Sequence, residues 1–104
     1  DLAVANAIAY EILRNGWENR AFLDRHVSFH TGKTNIGYGL EDHFKFEDEA
    51  KTIDLEQYRK LLEDYTPEKV EAISGVRAED IRYLASLYGD PKQKVVSYWC
   101  MGMN

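Results

Sequence analysis

Between residues 54 and 91 the chain is punctuated so closely that only short helices fit. Asp54 offers a carboxylate to the free first-turn amides of a helix whose apolar stripe is Leu55, Tyr58, Leu61/Leu62 and Tyr65. Thr66-Pro67 is expected to end that helix and start a second, with Thr66 as its cap and Pro67 at its first helical position, where a missing N–H costs nothing. That helix is predicted to bury Val70 and Ile73 and to stop at Ser74-Gly75. A third, over residues 78–88, should bury Ile81, Leu84, Ala85 and Tyr88 before Gly89-Asp90-Pro91 ends it. The run Lys94-Val95-Val96-Ser97-Tyr98-Trp99 follows and reads as a buried strand. A helix passing through a tight Gly/Pro turn into an apolar strand is one αβ step of a doubly wound sheet.

The first third is also helical. Leu2, Ala5, Ala9 and Ile12/Leu13, with Ile8 between them, form a stripe; Asp1 is a plausible N-cap, and Asn15-Gly16 supplies a left-handed stop. A short second helix over residues 19–26 should bury Phe22 and Leu23 and set Trp17 at the bend. Gly32, Gly37 and Gly39 make residues 27–40 an ordered loop or irregular strand. The charge is localised. Of 18 acids and 13 bases, residues 41–56 hold seven acids and two bases, so the net −5 belongs to that stretch. Residues 41–53 have no clear period and read as an acidic, solvent-exposed loop, pinned by Phe44 and Phe46. A single Cys excludes a disulfide framework or a multi-thiolate metal site within these 104 residues. No run approaches the ~18 apolar residues of a membrane span, and the acidic balance argues against nucleic-acid binding.

Most local motifs have a plain reading. Thr31-Gly32-Lys33-Thr34 resembles the end of a phosphate loop, but Val27 stands where the opening glycine belongs. His26 and His30 are four apart, yet Val27-Ser28-Phe29 favours an extended path that separates the imidazoles, and no carboxylate–His cluster completes a metal shell. His43 is solvated in the acidic loop, and Glu47-Asp48-Glu49 lacks calcium-loop spacing. Trp99-Cys100-Met101-Gly102-Met103-Asn104 lies at the carboxyl end of the expected strand, where open α/β sheets place ligands. The competing reading makes Met101 and Met103 core fillers. Cys100, without a partner thiol or nearby His, reads as a small buried residue.

Thr66-Pro67-Glu68, Val70, Ile73-Ser74-Gly75-Val76 and Glu79-Asp80-Ile81 resemble a helix-turn-helix segment of the molybdopterin-dependent oxidoreductases, which include formate dehydrogenases and nitrate reductases. A Pro usual in that segment is Arg77 here. Residues 22–29, the stretch Thr34-Asn35-Ile36-Gly37-Tyr38-Gly39-Leu40 and residues 94–104 resemble the catalytic subunits of periplasmic nitrate reductases in particular. The resemblance spans nearly the whole chain and is weakest over residues 41–53, where family members carry loops of differing length.

The resemblance implies a periplasmic enzyme, much longer than this chain, that reduces nitrate to nitrite by two-electron oxygen-atom transfer. Its molybdenum is held by two molybdopterin guanine dinucleotides, and an iron–sulfur cluster takes electrons from a cytochrome c partner. The molybdenum-ligating Cys and the cluster cysteines lie before the region resembled here, and Cys100 falls where the family often has Thr. Asp1 matches an Asp that contacts a guanine dinucleotide, and Met101 matches a cofactor-contacting Met. The expected fold is α/β: a mainly helical fragment of about five helices with one or two short strands, part of a Rossmann-like cofactor-binding domain. Residues 1–104 would be a single internal piece, inactive without the remainder of the catalytic subunit and with no cofactor bound to it alone. Two rivals differ in kind. One is a related oxidoreductase such as a formate dehydrogenase; the other is a self-contained helical interaction module. The fragment reading expects an exposed apolar strand or helix face, including the Ala-rich stripe of the first helix, and the module expects Met101 in its own core.

Overall fold

Capping chemistry sets the helix boundaries. A computed structural model describes residues 2–31 and 51–98, and within them it contains α1 (Leu2–Asn15), α2 (Arg20–His26), β1 (Phe29–Thr31), β2 (Lys51–Ile53), α3 (Leu55–Leu62), α4 (Pro67–Ser74) and α5 (Ala78–Gly89). Asp54 accepts from the Gln57 amide at 2.7 Å while the Gln57 side chain accepts from the Asp54 amide at 3.1 Å, a complete capping box for α3. Thr66 caps α4 with Pro67 in its first turn, and Gly75, at φ +75°, closes it in the left-handed region. At the end of α1, Gly16 (φ +67°) lets the Trp17 amide reach the Ile12 carbonyl at 3.0 Å and its own amide reach Leu13. These two bonds satisfy carbonyls that the helix leaves open. Asn19, which the sequence includes in the second helix, is its cap and accepts from the Phe22 amide.

Helix α1 packs against α3, α4 and α5, and the core divides along its length. Ala7 meets Val70 of α4 and Ile81 of α5 with no exposed surface on any of the three, and Ala3, Val4 and Ile8 border them. Leu13 meets Leu55 and Leu62 of α3, bordered by Tyr10, Leu23, Phe29 and Tyr58. Serving two clusters broadens the buried arc of α1. Its buried positions are Ala7, Glu11 and Leu13, whereas the expected Ala5, Ala9 and Ile12 are half-buried and Leu2 is exposed.

Four further expected core residues are exposed. Phe22 lies outside, tilted against His26 with ring centroids 5.0 Å apart, and Leu23 alone carries α2 into the core. On α4, Val70 takes the buried position, and Ile73, in the last turn, is 73% exposed. On α5, Ile81 and Ala85 are fully buried; Leu84 and Tyr88 flank that line and keep much of their surface. A short helix covered mainly from one side buries a narrow stripe, and the flanking apolar positions remain in water.

Strands β1 and β2 pair antiparallel in the register Phe29↔Ile53, His30↔Thr52 and Thr31↔Lys51. Phe29 stacks on Tyr58 of α3 at 4.7 Å, which ties the pair to the helices. Lys51–Ile53, read from the sequence as the end of the acidic loop, therefore belongs to a strand; residues 41–50 lie outside the described residues. The strand expected over residues 94–99 is not formed over its described part, 94–98. Val96 is 72% exposed and Tyr98 95% exposed. A strand is completed by a ladder partner, and none of the described residues pairs with this one. The described chain is thus mainly helical, with five helices and a two-stranded antiparallel sheet, compatible with the α/β class.

Candidate functional site

Asp1 and Met101, the two residues to which the resemblance assigns cofactor contacts, lie outside the described residues, as do His43, Glu47-Asp48-Glu49 and Cys100. Asp1 directly precedes α1, and Met101 follows the exposed segment 94–98. The described positions fall apart in space by local structure. His26 ends α2, Val27 is extended at φ −122°, and His30 stands in β1, so the two imidazoles leave on different elements. Thr31 closes β1; Gly32, Lys33 and Thr34 are outside the described residues. Among the described residues, no three His, Cys, Asp or Glu side chains gather to hold a metal ion.

The structure instead assembles a charged cluster where α1, α4 and α5 meet. Glu11 of α1 is 4% exposed. One of its carboxylate oxygens, Oε2, accepts from Asn15 Nδ2 at 3.3 Å. The other, Oε1, lies 3.6 Å from Arg14 Nη1 and 3.9 Å from Arg82 Nε, and has no hydrogen-bond partner. Charge therefore compensates this oxygen without bonding it; burial makes such compensation necessary. Arg82 of α5 also donates through Nη2 to Glu68 of α4. That bond holds the Glu68 carboxyl below its usual range and raises the Arg82 guanidinium. One guanidinium thus ties α5 to α4 while facing the buried carboxylate of α1.

A second ion pair joins α3 to the bend after α1. Arg59 Nη2 donates to Glu18 Oε1 at 2.7 Å, and Arg59 Nε faces Glu56 at 3.5 Å. Beside it runs a groove of about 210 Å³, lined by Tyr10, Leu13, Arg14, Arg59, Leu62 and Glu63. Both of its guanidinium groups already face carboxylates, Glu11 and Glu18, so the groove offers a ligand little uncompensated charge. A larger groove, about 290 Å³, separates α2 from the strand pair over a floor of Leu23, Val27, Phe29, Ile53 and Leu55. Its charged rim is also self-paired: Arg20 bonds Asp24 at 3.0 Å, and Asp54 is occupied in capping α3. Burial against Phe29 and its neighbours pushes the Tyr58 phenol above its ordinary pKa.

Sequence reasoning missed the Glu11 cluster. The available signal was a carboxylate one turn after Ala7, on the side of α1 that turns inward. Its partner Arg82 lies on α5, a pairing that no local pattern announces. The chain matches no family model.

Proposed function

We propose that this chain is a helical lobe of the catalytic subunit of a molybdenum-dependent nitrate reductase, with its cofactor contacts at its two ends. On this reading the subunit reduces nitrate to nitrite in the periplasm. It carries two molybdopterin guanine dinucleotides on molybdenum and an iron–sulfur cluster that takes electrons from a cytochrome c partner. Asp1, placed before a helix, accepts hydrogen bonds from a guanine edge. Met101 offers an uncharged wall where an anion approaches the metal. The lobe belongs to a Rossmann-like cofactor-binding domain.

The sequence motifs suggest this reading, and one observation among the described residues supports it. Residues 94–98 expose Val95, Val96 and Tyr98 directly before Trp99-Cys100-Met101-Gly102-Met103-Asn104. An apolar, β-prone run in water is the kind of surface that a larger body covers. Reading the gene on both sides of these residues tests the proposal. A metal-ligating Cys and four cluster cysteines are expected upstream, and their absence overturns it. The lobe alone should neither retain molybdopterin guanine dinucleotide stoichiometrically nor reduce nitrate with a reduced viologen; either result would contradict its dependence on the remainder of the subunit.

A second reading, a self-contained helical interaction module, draws support from the fully buried Ala7, Val70 and Ile81 cluster. The two diverge at Met101. The module reading expects Met101 to resist mild peroxide in the folded chain; the lobe reading expects it to oxidise as fast as in urea, with mass spectrometry as the readout.

A further inference from the structure

We draw no further inference here: the strongest candidate, the exposed apolar surface made by Leu84 and Tyr88 of α5 with Val95, Val96 and Tyr98 of the segment that follows, belongs to the reading already proposed, and nothing in the structure shows what covers it.

Discussion

The two clusters along α1 are built differently. The one at Ala7, Val70 and Ile81 joins three helices through small and branched side chains, excludes solvent completely, and is bordered by the Arg82, Glu68 and Glu11 ion cluster. The one at Leu13, Leu55 and Leu62 joins α1 to α3, leaves a few percent of each residue exposed, and is ringed by Tyr10, Phe29 and Tyr58, with Tyr65 bordering both clusters. An enclosed cluster has no room to relax after a deletion. A cluster edged by aromatic rings can settle partly into the space left. The chain therefore has a rigid end and an adaptable end on the same helix.

The largest expected effect tests that difference directly. Ile81→Ala should cost about 3–5 kcal/mol and Leu55→Ala about 2–3 kcal/mol in urea unfolding. Equal costs, or a reversed order, would break the comparison. Gly89→Ala follows. A Cβ there would stand 2.7 Å from Trp17 Cβ, so the bend after α1 and the end of α5 must separate, at about 1–3 kcal/mol. Trp17 emission should shift at the same time; an unchanged spectrum with unchanged stability would show that the two ends are not in contact. Asp54→Ala removes half of the capping box and should lower stability by about 1 kcal/mol through α3, at the adaptable end.

Arg77→Pro acts in the other direction and more weakly. Arg77 has φ −61°, the value that proline's ring fixes, and its amide donates no hydrogen bond among the described residues. Proline should therefore be neutral or stabilise by up to about 1 kcal/mol, even though the exposed Arg77–Asp80 pair is lost. A clear loss would mean that the ion pair fixes the start of α5.

The smallest effects are those of pH. Glu68 has a lower pKa folded than unfolded, so its contribution is present above the ordinary carboxylate value and is lost as pH falls through the folded one. Glu68→Gln should flatten that acid limb. Tyr58 has a higher pKa folded, so stability falls as pH rises past about 10, and Tyr58→Phe should flatten the alkaline limb. Thermal midpoints recorded against pH read both limbs, one from each end of α1.

What the sequence could reveal followed the range of the forces involved. Asp54, Thr66-Pro67, Gly75 and Gly16 act within four or five residues, so the end of α1, the start of α3 and both ends of α4 were legible from composition and spacing alone; α3 itself stops at Leu62, short of the expected Tyr65. Burial was less legible, because it depends on which helix covers which side. Val70 and Ile73 share an apolar stripe, yet neighbouring helices cover only Val70. Strand pairing was the least legible. Lys51–Ile53 is a strand because Phe29–Thr31 lies beside it, a fact that no window around residue 51 contains. Residues 94–98 have the apolar character of a strand and lack the neighbour. Of the candidate site, only the separation of His26 from His30 could be read in advance, since an extended Val27 is a local matter. The buried Glu11 depends on Arg82, far along the chain, and was out of reach.

The pairing of Thr31 with Lys51 has a consequence for how such a chain can vary. It brings together the two points where residues 32–50 leave and rejoin the described body, so this stretch begins and ends at one place on the fold. For a flexible loop anchored in this way, lengthening costs only the entropy of closure, about 0.6 kcal/mol for each doubling. Both ends of residues 32–50 are set by the register of a single strand pair, so a slip in that register would move the two ends together.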